Sequence, residues 1–155
     1  DFAHAHLSAQ LKDHSLARTY ECIVCGNLKE DSGTIDAPIG RHPTDRKKMA
    51  VTEKNSRNAV THWEVIARYR GYTHVRCKLE TGRTHQIRVQ FSARGHALLG
   101  DRKYGRGEAG GIALWSCRIG LFHPESGMWM TFSHAPNGIP QFSDFEDCFS
   151  NAADV

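Results

Sequence analysis

The run Leu79-Glu80-Thr81-Gly82-Arg83-Thr84-His85-Gln86-Ile87-Arg88-Val89 holds the most chemistry for its length. A strand that passes through a glycine turn into a helix start leaves backbone N–H groups without partners, and Arg83 projects from the same turn. Such a corner suits an anion or a buried carboxylate. It equally describes a structural corner whose arginine is merely solvated, and spacing alone favours that plainer reading.

A second polar stretch, residues 40–57, is basic and lacks apolar period. It carries Arg41, His42, Arg46, Lys47 and Lys48, and reads as a long loop of the kind that is usually functional or mobile. Charge follows the same division: Arg41 to Arg106 sums to +11, and the rest of the chain to −8. A basic middle with acidic flanks is what a polyanion-binding face requires.

Other constellations are weaker. Cys22-x-x-Cys25 has half the spacing of a metal knuckle, but residues three apart on a strand face opposite ways and no second pair follows. The five cysteines, Cys22, Cys25, Cys77, Cys117 and Cys148, sit mostly in apolar stretches as reduced core thiols do. His4 and His6 stand about 200° apart on a helix and cannot chelate together. Asp144, Glu146 and Asp147 among spaced phenylalanines read as the wet face of a terminal helix. Trp63 and Tyr69 read as core, and Tyr72, in a turn, stays open to base stacking.

The elements that must position these residues follow from periodicity. Residues 2–16 form a helix with Ala3, Leu7 and Leu11 on one stripe. Residues 18–26 are a buried strand, 34–39 a short strand, and 60–69 with 73–80 an antiparallel hairpin with one wet face. Residues 85–94 alternate ambiguously, but Thr84 as N-cap and Gly95 as C′ favour a helix. Strands at 113–122 and 128–133 and a closing helix near 142–149 complete one α+β domain, mainly antiparallel, over 155 residues. No run approaches the ~18 apolar residues of a membrane span, and the N-terminus has no secretory pattern, so a cytoplasmic protein is expected.

The corner, followed by Gly95-His96-Ala97-Leu98-Leu99-Gly100-Asp101-Arg102-Lys103-Tyr104-Gly105, resembles the RluA-family pattern TGRTHQIRVH then GHPLLGDxxYG. Pro38-Ile39-Gly40-Arg41-His42-Pro43 with Arg46-Lys47-Lys48-Met49 is similar to the family's PIGRHPxDRKKM, and Arg18-Thr19-Tyr20 to its K-x-Y strand. Leu121-Phe122-His123-Pro124 and Ala135-Pro136 resemble its closing segments. The matches run in order from Arg18 to Pro136; Gln90, Ala97 and Trp115 depart from the usual His, Pro and His.

The resemblance implies the catalytic domain of an RNA pseudouridine synthase, an isomerase without cofactor or metal that flips its target nucleotide. It implies that Arg83 pairs with a nucleophilic aspartate and that Tyr20 lies against the target base. Arg41, His42, Arg46, Lys47 and Lys48, with Thr84, His85, Gln86 and Arg88, would contact RNA. The loop's form leans toward large-subunit ribosomal RNA over tRNA, with the protein a monomer. The family's aspartate lies in an RLDxxTSG segment, and no Arg-Leu-Asp occurs here. Residues 1–155 are therefore expected to be the C-terminal portion of one catalytic domain, inactive alone without the missing N-terminal segment. The alternative is a non-catalytic RNA-binding module.

Overall fold

The computed structural model describes residues 1–136 together with Ile139 and Phe142. The chain opens with helix α1 (Phe2–Lys12), then strands β1 (Ala17–Cys25), β2 (Ser32–Asp36), β3 (Ile39–Arg41), β4 (Met49–Val51), β5 (Ser56–Arg57), β6 (Val60–Tyr69) and β7 (Tyr72–Leu79). Helix α2 (Gln86–Ala93) and strands β8 (Leu114–Phe122) and β9 (Trp129–Ser133) follow. The closing helix expected near 142–149, with Asp144, Glu146, Asp147 and Cys148, lies outside the described residues apart from Phe142.

Six strands form one antiparallel sheet in the order β2-β6-β7-β1-β8-β9. α2 lies on one face, where Cys22, Val24, Trp63, Val75 and Cys77 pack with Ile87, Phe91 and Leu98. Ile23 and Tyr69 pack with Ala113 and Phe142 in a second cluster. Burying both faces of β1 explains why its sequence is apolar in both registers.

Several expectations are corrected. Residues 40–57 are not a structureless loop, because β3, β4 and β5 pair into a small sheet of order β4-β3-β5. Trp63 and Tyr69, equal in parity, fall in different clusters, because the β6–β7 register shifts between Val65 and Ala67. One extra residue in a strand reverses the facing of everything after it. His74, which the alternation of residues 73–80 places on the wet face of the β6–β7 hairpin, is 5% exposed, with its ring 5.5 Å from that of Phe142.

α1 stops at Lys12 rather than Leu16, because Asp13 takes the amide and hydroxyl of Ser15 and His14 turns left-handed at φ 64°. Nor does its leucine stripe bury it: Leu11 is 44% exposed and the buried residue is Gln10. The Gln10 amide accepts the Phe122 N–H at 2.8 Å and donates to the Phe122 carbonyl at 2.7 Å, so a polar side chain pairs with the β8 backbone as a strand would.

Candidate functional site

Gly82, Arg83, Thr84 and His85 form the corner between β7 and α2. Thr84 is not the N-cap: it is exposed, while His85 occupies the cap position in the left-handed region (φ 56°) without a side-chain cap bond. Gln86 closes the turn instead. Its side-chain oxygen accepts the Arg83 N–H at 3.0 Å and the Thr81 hydroxyl at 2.8 Å. Its amide nitrogen donates to the Val60 carbonyl at 3.1 Å and the Thr61 hydroxyl oxygen at 2.8 Å. Gln86 is 3% exposed, so this residue, expected at the RNA, builds the corner from beneath; a buried amide with four partners has nothing left to offer outward. At the far end of α2 the Gly95 and His96 amides close on Ser92 and Phe91, with Gly95 at φ +82° as the expected C′ residue.

Arg83 is anchored by Nε donating to the Asn58 carbonyl at 2.8 Å, and its Nη groups find no partner among the described residues. A Cβ on Gly82 would overlap the Arg18 guanidinium, so glycine is what lets Arg18 lie across the corner. The Arg18 Nε is buried without a partner. Sequence reading treated Arg18 only as part of a strand motif, and no local signal marks its approach to Gly82.

Arg18 pairs with Leu79 and Tyr20 with Cys77, which sets Tyr20 at the same end of the sheet as the corner. Tyr20 is half-buried against the cluster beneath α2, so Tyr20 and the corner share the α2 side. No hydrogen bond joins Tyr20 to Arg83 among the described residues.

The basic hairpin of the small sheet packs beside α2. Arg41 donates from Nη1 to the Arg46 carbonyl at 3.1 Å, and Arg46 and Lys47 are exposed. His42 turns inward on its own loop: Nδ1 accepts the Thr44 and Asp45 amides at 3.3 and 3.0 Å, leaving only Nε2 for a ligand. Arg41, His42, Arg46 and Lys54 line a groove of about 570 Å³ with Thr52 and Asn55. Lys48 is half-buried.

Arg88, expected at the RNA, is committed elsewhere. Its Nε and Nη2 meet the two oxygens of Asp101 at 2.9 Å each, and its guanidinium lies 5.1 Å over the Tyr104 ring. Asp101 is 1% exposed and also accepts the Lys103 and Tyr104 amides at 3.0 and 3.1 Å. Burial pushes the Asp101 carboxyl up, but the Arg88 fork and these amides more than offset that and hold it below the usual range. Sequence reading missed this pair because its members are 13 residues apart in different motifs.

Tyr104 joins the corner to the basic hairpin. Its hydroxyl accepts the Met49 amide at 3.0 Å and lies 2.7 Å from His85 Nδ1. Burial lowers the His85 pKa, and repulsion from Arg88 and Lys103 lowers it further.

Gln90, where the resembled pattern has His, is buried with its amide donating to the Ala37 and Ala59 carbonyls at 3.1 and 3.0 Å. Cys22 lies in the core while Cys25 meets the Glu108 carboxylate at 3.6 Å, so the Cys-x-x-Cys pair does not converge.

An antiparallel sheet carrying an arginine corner, with a small basic hairpin docked beside it, defines the class by its fold: a mainly antiparallel α+β domain. Comparison with known proteins narrows the class to one family. The profile of the RNA pseudouridylate synthase family matches residues 1–93. The RNA pseudouridine synthase YlyB of Bacillus subtilis is 45% identical over 135 residues, covering 85% of this chain and 44% of that protein. Ribosomal large subunit pseudouridine synthase D of Pseudomonas aeruginosa is 54% identical over 103 residues, covering 66% of this chain and 32% of its own length. The solved structure of human RNA pseudouridylate synthase domain containing 1 shares the fold, with a TM-score of 0.79 at 24% identity, covering 94% of this chain and 63% of that one. The chain belongs to the RNA pseudouridylate synthase family, in its RluA-like branch. It spans less than half the length of these curated relatives.

Proposed function

We propose that this chain is part of an RNA pseudouridine synthase that isomerises specific uridines in structured, large-subunit ribosomal RNA in the cytoplasm. In that reaction the bond from the sugar C1′ to N1 of uracil breaks, the base turns, and a bond from C1′ to C5 forms. The proton on C5 leaves and N1 gains one, so nothing is oxidised and no cofactor is required. The arginine corner carries this reading: Arg83 is held by one N–H at Asn58 while its Nη groups stay open, at the end of the sheet where Tyr20 lies.

Arg83 pairs with an aspartate from the part of the protein outside these residues, favouring its ionised form and fixing its direction. Tyr20, half-buried with its side chain packed against the core cluster, stacks on the flipped base and stands ready for proton transfer. Arg41, Arg46, Lys47 and Lys48 hold phosphates, and Thr84 and His85 flank the base from the corner. Relatives named for the ribosomal large subunit support the RNA class.

The test is turnover of uridine in large-subunit RNA by the complete protein and its Arg83→Ala variant. The variant should fold with an unchanged circular dichroism spectrum and lose about 10²-fold or more in turnover. Near-normal turnover would reject the assignment.

A further inference from the structure

Two parts of the molecule that meet the same ligand in this reading, the arginine corner and the basic hairpin, belong to different sheets. β3 ends at Arg41 and β4 begins at Met49, and the turn between them carries Arg46, Lys47 and Lys48. Nothing in the backbone pairing of either sheet fixes the hairpin relative to α2. Side chains do the fixing: Ile39 and Met49 pack with Val89 of α2, Gln90 holds the Ala37 and Ala59 carbonyls, and the Asp101 to Gly105 turn adds the polar ties at the basic turn itself.

Tyr104 sits at the centre. The Met49 N–H donates to its hydroxyl oxygen at 3.0 Å, so the hydroxyl proton is free for a second partner. The group in reach is His85 Nδ1 at 2.7 Å. Only one arrangement uses every proton: Met49 N–H to Tyr104 O, then Tyr104 O–H to His85 Nδ1, which requires a neutral imidazole protonated on Nε2. Lys103, next in the chain, donates to the Lys47 carbonyl at 3.0 Å, a second tie between turn and hairpin. His85 is two residues from Arg83, and its left-handed backbone directs the ring at Tyr104, the two rings meeting edge-on at 5.5 Å.

We propose that Tyr104 is a positioning residue whose hydroxyl, fixed between the Met49 amide and Nδ1 of neutral His85, holds the basic hairpin in register with the Arg83 corner so that one RNA strand meets both. The RNA half of this inference rests on the function proposed above. The relay itself rests on the hydrogen bonds alone.

The arrangement responds to pH. A proton added to His85 Nδ1 faces the same oxygen as the Met49 N–H, and the hydroxyl proton loses its acceptor. The charged and titratable groups facing His85 are Arg88 from α2 and Lys103, Asp101 and Tyr104 from the turn. The hairpin contributes the Met49 amide and, through Lys103, the Lys47 carbonyl. Burial first, and then two cations against one carboxylate already committed to Arg88, favour the neutral ring, and the relay opens as the solution becomes acidic.

Three variants of the complete protein decide the matter, read by amide hydrogen exchange at Met49 and by binding to a uridine-containing RNA hairpin. Tyr104→Phe keeps the ring and removes the hydroxyl; Met49 protection should be lost and RNA affinity should fall by about fivefold, the effect of one hydrogen bond. Ser92→Ala removes a different bond to the same turn, Ser92 Oγ to the Tyr104 carbonyl at 2.8 Å, and should leave both readouts unchanged. His85→Asn places an amide oxygen near the position of Nδ1 and tolerates the left-handed backbone. It should keep Met49 protected between about pH 8 and pH 5, where the parent chain loses protection as histidine charges.

Unchanged Met49 exchange in Tyr104→Phe would overturn the relay, as would protection in the parent chain that does not vary with pH. Equal weakening of RNA binding by Tyr104→Phe and Ser92→Ala would reduce Tyr104 to general packing. Failure of the complete protein to bind RNA would overturn the proposed function and the RNA half of this inference, while the exchange data would still decide the relay.

Discussion

Gln86 and Arg83 hold one another by reciprocal hydrogen bonds: the Gln86 side-chain oxygen accepts the Arg83 backbone N–H at 3.0 Å, and the Gln86 backbone N–H donates to the Arg83 carbonyl at 3.0 Å. The other end of the same side chain reaches β6, so the direction of Arg83 is set by the sheet and not by the loop alone.

Replacing Gln86 by Leu keeps the volume but leaves the Arg83 amide, the Thr81 hydroxyl and the Val60 carbonyl short of a partner inside the protein. The cost should be about 2–4 kcal/mol. Urea unfolding should show a lower midpoint at an unchanged slope; a midpoint like that of the parent chain would mean the corner does not depend on this amide.

Asp101→Asn should be destabilising by about 3 kcal/mol, because the half-buried Arg88 fork then faces a neutral amide in a buried site. The Asp101 carboxyl is lowered in the folded state, so its contribution is complete above the unfolded carboxyl value of about 4 and is lost as pH falls through the lower folded value. Acid unfolding followed by tryptophan fluorescence should therefore begin at higher pH in Asp101→Asn than in the parent chain. Coincident acid transitions would count against the pair.

Two glycines with positive φ should respond differently to alanine. Gly95, at φ +82° with open space around it, should lose about 1 kcal/mol from backbone strain alone. At Gly100, φ +77°, a Cβ would also overlap the Gly111 carbonyl, so Gly100→Ala should cost well over about 2 kcal/mol. Equal thermal shifts for the two variants would contradict that close approach.

RNA affinity should fall linearly with the logarithm of salt concentration. Arg41→Ala and Arg46→Ala, both lining the groove of the basic hairpin, should each reduce the slope by about 0.7 to 0.9. A slope that neither variant changes would remove this hairpin from the interface.

Much of this architecture is written locally. The strand at residues 60–69 and the glycine at position 95 depend on neighbours within a turn or a strand, and each corresponds to what the fold contains. So does the strand-to-helix corner bearing Arg83, whose motif order also identifies the family. Other features required the chain to be folded. Thr84 looks like a cap by residue type, yet Gln86 does the work because β6 lies beneath it with a carbonyl and a hydroxyl to match. Arg88 has the charge for RNA but is claimed by Asp101, and Gln86 is polar but sealed. A side chain's type fixes which bonds it can make; which of them it does make depends on the partners that distant segments bring within 3 Å, and that only tertiary packing decides.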